Sequence, residues 1–317
     1  MIDVASSMSV PAGLSVGASA TLAVAIAFLL DAIIEEPPEG LHPVVWFGTV
    51  VATVDREWAR PGLVGALALG LPLAGAAAVW AVVHITPGPA DAVVAGIALF
   101  VTLSRRLLLS EARAVIADSE SDLVAARERL PALAGRDSEP LAAEELRSAA
   151  VESAAENLAD GLVAPLVAFA IGALVSLPIA AAAAAWVKGV NTLDSMLGYR
   201  SKAVGGPSAR LDDLVMAVPA RVSAVLIAAV SLDPGAVRRA SRWAKAPPSP
   251  NSGWPMATLS AVADVRLEKP GSYVLNPAAA FPDVDRGLEG VRIVDRAAIA
   301  AFLLSGGWVL GLGGVLG

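Results

Sequence analysis

Six apolar runs, each close to the length that crosses a bilayer, constrain this chain more than any other feature. They occupy 12–34, 61–85, a shorter 90–104, 162–187, 214–232 and 297–316, and a spanning helix needs about 20 mostly apolar residues. The balance of the chain agrees with them. Hydrophobic residues make up 56% of the 317 positions and charged residues 17%, and the mean hydropathy is +0.66. The charges gather between the runs instead of spreading as they do over a soluble surface. The expected fold class is all-α: a polytopic integral membrane protein with the lipid bilayer as its first partner. Pro165 and Pro178 interrupt 162–187, and Pro219 with Arg221 interrupts 214–232. Broken or re-entrant helices are expected there, since such elements are tolerated at membrane depth where they line an enclosed cavity.

Composition also removes several classes. The chain has no cysteine and only His42 and His84 as imidazoles, so thiolate chemistry and His-rich metal sites are out of reach. A net charge of −7 argues against a nucleic-acid partner. The N-terminal stretch MIDVASSMSVPAG lacks a basic region, so the first run reads as a retained helix and not as a signal peptide. Two long polar stretches separate the runs. Segment 105–161 reads as helices, and 233–296, with PPSPNSGWP and NPAAAFPDVD, as an irregular region with short helices. If every run crosses once, 35–60, 105–161 and 233–296 share the Lys/Arg-rich cytoplasmic side and 188–213 is left outside. Yet 188–213 carries the densest polar motif, so a site facing the cytoplasm requires that 162–187 and 214–232 do not cross simply.

Four constellations carry chemistry. In LLDAIIEEPPEGLHPVVWFG, Asp31 and His42 are candidate ligand contacts; read alone they are a helix-end carboxylate and an interfacial turn anchored by Trp46. In VESAAENLADGLVAPL, Glu152, Glu156 and Asp160 fall at i, i+4 and i+8 with Asn157 alongside. Three like charges on one stripe suit either a solvated face or Mg²⁺, which takes one or two protein carboxylates plus substrate phosphates. In KGVNTLDSMLGYRS, a helix would place Lys188, Asn191 and Ser195 on one face with Asp194 flanking and Tyr199 following. That face offers an ammonium, an amide and a hydroxyl to a phosphate; the bland reading is a capping region. Arg210, Asp212 and Asp213 come next, then Arg221 inside an apolar run, where an arginine calls for an anion. Ser249, Asn251 and Trp254 stand among prolines, as in a ligand loop or a plain surface turn.

Taken in order, these blocks, with SARLDDLVMAVPARV and SPNSGWPMA, resemble the signature blocks of the membrane-bound adenosylcobinamide-phosphate synthase family of cobalamin biosynthesis, often labelled CobD/CbiB. The likeness runs from about residue 22 to 305. It implies a single membrane-embedded catalytic domain over 1–317, in the cell membrane, with its active site on the cytoplasmic side. It implies an ATP-dependent amide ligase that joins aminopropanol phosphate, or a similar amino alcohol, to the free propionate of adenosylcobyric acid. ATP and Mg²⁺ would serve the reaction, with the corrinoid as substrate and other cobalamin-assembly membrane enzymes as candidate neighbours. On this likeness Glu152, Glu156 and Asp160 would be metal ligands, and Asp194 would bind metal or amine. Lys188, Arg210 and Arg221 would hold phosphates or stabilise developing charge. The chain departs from the family pattern at Glu35-Glu36-Pro37, in a shortened stretch between Tyr199 and Arg210, and at Pro247-Pro248 before the SPN block. These departures leave an ethanolamine-type or unphosphorylated amine open. Two other classes stand beside the ligase: an AmpE-like membrane sensor or regulator, and a transporter, whose usual internal inverted symmetry is not seen here.

Overall fold

A computed structural model describes residues 15–134, 138–199 and 201–315; the N-terminal stretch and the outer ends of the first and last apolar runs lie outside these. Helix α1 (Val16–Ile34) begins at Ser15, whose hydroxyl accepts the Ala18 amide at 3.3 Å. After a turn come α2 (Pro43–Ala52), α3 (Pro61–Ala68) and α4 (Gly70–Ile85), each of the first two opened by a proline that needs no amide partner there. Then follow α5 (Ala90–Phe100), α6 (Arg105–Ser121), α7 (Leu123–Arg129) and α8 (Ala143–Leu158). A π-helical turn, Ala159–Val163, joins α8 to α9 (Ala164–Gly172), and α10 (Leu177–Leu197) follows. The remainder is α11 (Gly206–Val215), α12 (Ala217–Val230), α13 (Ala236–Ala240), α14 (Gly253–Ala263), a hairpin of β1 (Leu267–Lys269) and β2 (Tyr273–Leu275), and α15 (Val284–Val315).

Among the described residues, five helical stretches are long and apolar enough to cross a membrane: Val16–Ile34, Pro61–Ile85, Ala90–Ser121, Ala143–Gly172 and Val284–Gly311. The protein is a multi-pass, all-α membrane protein, and its hairpin is the one sheet among the described residues. The main core runs through α1, α5, α6, α8, α9, α10, α12, α14 and α15, with Phe28 and Phe302 meeting edge-on at 5.1 Å where α1 and α15 pack. At 1.5 Å per residue the 32 residues of α15 extend about 48 Å, longer than the ~30 Å hydrocarbon core. Its first turns therefore stand in the polar region.

The 162–187 run is not one simple span, as its two prolines lead one to expect. It supplies halves of two antiparallel helices that turn over at 173–176, where Gly172 lies so close to Ala180 that a Cβ would meet its Cα at 2.7 Å. Helix α10 thus carries the chain back along α9 and α4, and Asn191 near its end bonds Asp160 near the end of α8. The second expected break is present: Ala203–Val215 and Ala217–Val230 are bent by 46°. In consequence 188–213 shares one end of the bundle with the other polar stretches. A network ties that end together: Arg105 pairs with buried Asp31 at 3.0 Å and with Asp295, Arg113 also reaches Asp295, and Lys202 pairs with Asp55 at 2.7 Å. No lysine or arginine occurs in the links 86–89 and 173–176 at the opposite end, nor in 1–55 or 297–317.

Candidate active site

Where α8, α10, α11, the loop before α14 and the hairpin meet, an open cavity of about 410 Å³ lies at this polar end. From α8 and its π turn come Glu156, Asn157 and Asp160. The π turn has a local cause. Pro165 has no amide to return to the Gly161 carbonyl four residues back, and that carbonyl instead accepts the Ser104 amide at 3.1 Å. Such turns are frequent at functional sites. From α10 come Asn191, Asp194 and Ser195. The Asn191 amide donates to Asp160 Oδ2 at 3.3 Å, and the Ser195 hydroxyl turns back to the Asn191 carbonyl at 2.8 Å. Gly198 closes α10, and a Cβ there would fall 1.9 Å from Asp194 Oδ1; only glycine lets that carboxylate fold over the helix end.

Tyr199 and Asp212 complete that side, and Ser249 with Asn251 faces them. The SPN loop is firmly held. Asn251 Nδ2 donates to the Asp213 carbonyl at 2.7 Å, its amide donates to Ser249 Oγ at 3.2 Å, and the Arg221 guanidinium donates to its Oδ1. The hairpin adds Lys269 and Tyr273. Among the described residues, four lining carboxylates, Glu156, Asp160, Asp194 and Asp212, therefore face one lysine. Asp194 Oδ1 and Asp212 Oδ1 are buried and have no hydrogen-bond partner. Buried carboxylate oxygens without a donor are costly unless a cation meets them.

The remaining expected site residues lie elsewhere. Glu152 is 1% exposed beneath the cavity and accepts from Ser148 Oγ at 3.2 Å and from the Tyr273 hydroxyl at 3.0 Å. It thus parts from Glu156 and Asp160 and positions Tyr273. Among the described residues no three acidic or histidine side chains form a metal-binding group by themselves. Lys188 does not line this cavity; it lines a separate apolar cavity of about 110 Å³, with its ammonium near Glu36 and Asp160. Arg210 is exposed on α11 and does not line the site. Arg221 clamps the SPN loop through the Pro250 carbonyl as well as Asn251, with Trp254 under its guanidinium at 5.3 Å. Asp213 supports the same loop, its Oδ1 accepting from Ser249 Oγ at 3.5 Å. Asp31 belongs to the Arg105 network. His42 is the cap of α2, its Nδ1 accepting the Val44 amide at 3.2 Å and its Nε2 lying 3.7 Å from Glu36. Burial first, then the Lys188 charge, holds the His42 imidazole below its ordinary value, while burial pushes the Glu36 carboxyl up.

Lys269 and Tyr273 were not anticipated from sequence. A signal was present: the chain has only two tyrosines, Tyr199 and Tyr273, and both line this cavity. The Lys-Pro-Gly turn that starts at Lys269 gives no hint by itself that the hairpin folds back over α8.

Comparison with known proteins places this arrangement. A family model described as CobD/CbiB protein matches residues 24–298. The chain belongs to the CobD/CbiB family. It is 34% identical over 299 residues to the probable cobalamin biosynthesis protein CobD of Methanothermobacter thermautotrophicus, covering 90% of this chain and 96% of that one. It is 32% identical over 321 residues to the cobalamin biosynthesis protein CobD of Klebsiella pneumoniae, covering 92% and 98%, and 34% identical over 284 residues to the probable CobD of Pyrococcus abyssi, covering 85% and 90%. No solved structure matches the chain. Membership links this CobD/CbiB chain to cobalamin biosynthesis and, within it, to an enzymatic role.

Proposed function

We propose that the protein is an ATP-dependent amide ligase that joins aminopropanol phosphate, or a similar amino alcohol, to the free propionate of adenosylcobyric acid. The observation that carries this reading is the cavity itself. Carboxylates from three elements converge with two oxygens unpartnered, an environment for an ammonium and for phosphates that arrive with a cation. Glu156, Asp160 and Asp212 offer the hard oxygen donors that Mg²⁺ takes; bound there, it would neutralise phosphate charge. Lys269, the one cation in the lining among the described residues, is placed for a phosphate, because Lys188, Arg210 and Arg221 do not line the cavity. The propionate oxygen attacks the γ-phosphorus of ATP, the bond to ADP breaks, and an acyl phosphate forms. The amine then attacks the acyl carbon and inorganic phosphate leaves. That attack needs a neutral amine, and Asp194 is placed to hold the ammonium and take its proton. About 410 Å³ holds an arm and a small amine, so the corrin ring rests outside on a rim that includes half-exposed Tyr199.

The 23 lysines and arginines fall between residues 56 and 296, with none in the far-end links 86–89 and 173–176, and positive residues mark the cytoplasmic side. The cavity therefore opens to the cytoplasm, where ATP is. The test is direct: detergent-purified protein is incubated with adenosylcobyric acid, ATP, Mg²⁺ and aminopropanol phosphate. Mass spectrometry should show an amide product that requires ATP. No ATP-dependent product with any amino alcohol would overturn the reading.

A further inference from the structure

Helix α12 has both ends on the same side of the bundle. Its start adjoins Met216 in the candidate active site, and its end, Ser231 and Leu232, shares a surface hollow with Arg286, Glu289 and Arg296 of α15. Fourteen residues make a helix of about 21 Å, too short for the ~30 Å hydrocarbon core. Its inner face is buried through Ser223, Ala224, Leu226 and Ile227 against α14, α15 and the π turn. The outer face is a different matter. Val218 and Val225 are 61% and 57% exposed, and their spacing of seven places them along one helical stripe of α12. Leu214, before the 46° bend, and Leu232, just past the helix end, are 74% and 90% exposed beside it. Exposed Ala229 lies on the same stripe. The polar member of that stripe, Arg221, bends its guanidinium away to the Pro250 carbonyl and Asn251. A row of large apolar side chains facing water is not a stable arrangement, and it marks a surface that something covers.

From this geometry we infer that α11–α12 is a membrane-seated element that does not cross: its outer stripe rests on lipid acyl chains, with Arg221 and the Arg286–Arg296 edge at headgroup level. Lipid is the occupant because α12 packs directly on α9 and α15, parts of two of the stretches apolar enough to span, so its outer stripe continues beside them. Apolar side chains below and arginines at the edge are the pattern of an interfacial helix. The same element carries Asp212 and Met216 into the cavity and clamps Asn251, so the wall of the site is anchored to the bilayer.

The chain has no cysteine, which makes the test clean. Val218→Cys and Val225→Cys are spin-labelled in the full-length protein in lipid nanodiscs, with Val124→Cys on α7 as the water reference and Leu303→Cys on α15 as the lipid reference. Relaxation by oxygen is compared with relaxation by a water-soluble nickel chelate. Positions 218 and 225 should follow 303, with oxygen dominating. If either follows 124, or is shielded from both reagents as under a second protein surface, the inference is overturned. Ala229→Cys reports on the same face should one variant fail to fold. Amide synthesis plays no part in this measurement, so failure of the ligase reading would leave it standing.

Discussion

Asp194 and Asp212 show how far a single atom can carry a functional argument. Each has an oxygen shut away from water without a donor, and a fold optimised for stability alone would not keep it. Replacing Asp194 by Asn removes the charge from a carboxylate whose buried Oδ1 meets no donor among the described residues. Stability should hold or rise, whereas turnover should fall on the order of a hundredfold if the group acts on the reacting amine. Thermal unfolding and steady-state rates, measured on the same preparation, decide it; wild-type turnover would return Asp194 to a structural part. His42 makes a second residue-scale prediction. Its Nδ1 accepts the Val44 amide, so the cap needs a neutral ring, and burial lowers the proton affinity of that ring. A depressed folded value means the contribution is present above the unfolded value near 6.5 and is lost as pH falls through the folded one. Glu36 works in the opposite sense: its raised value gives a contribution present at low pH and lost as pH rises through the folded value. Both proteins share Glu36, so the informative quantity is a difference. The melting temperature of wild type minus that of His42→Asn, which keeps a capping acceptor, should decline between pH 7 and 5.5. A pH-independent difference would count against it.

At the level of elements, the site is made by contacts that hold loops in place. The SPN loop owes its position to Arg221 on α12, through Asn251 and the Pro250 carbonyl, and to the Asp213 carbonyl on α11. Arg221 is itself exposed, so Arg221→Gln should cost only about 1 kcal/mol or less of global stability. Hydrogen exchange at the amides of 249–254 should nevertheless speed up, and KM should rise more than kcat falls. Unchanged exchange in that loop would mean the clamp is incidental. The hairpin supplies a second such contact: Tyr273 reaches the cavity braced by Glu152. The Glu152–Glu156–Asp160 stripe is legible in the sequence, but its division of labour is not. That division follows from the hairpin packing on α8, a pairing of residues about 120 positions apart.

The whole molecule places every long polar stretch at one end. Single cysteines at Thr86, in the short link at the far end, and at Ser201, beside the cavity, give the check. In intact cells an impermeant thiol reagent should label position 86 from outside and position 201 only after the membrane is opened. Labelling of 201 in intact cells would reverse the orientation and, with it, the supply of cytoplasmic ATP to the site.

Several things were fixed by composition and local pattern. Apolar runs of spanning length forced an all-α membrane protein, since the bilayer leaves backbone groups no other partner. Prolines at 165, 178 and 219 marked where helices break or begin, and the ordered polar blocks pointed to the family. The tertiary structure decided the rest. That 162–187 is a hairpin and not a span depends on the close approach of Gly172 and Ala180. Whether a cation lines the cavity, as Lys269 does, or does not, as with Lys188, depends on which neighbours surround it. Periodicity assigns a residue to a helix face; only the packing of distant elements decides what that face meets.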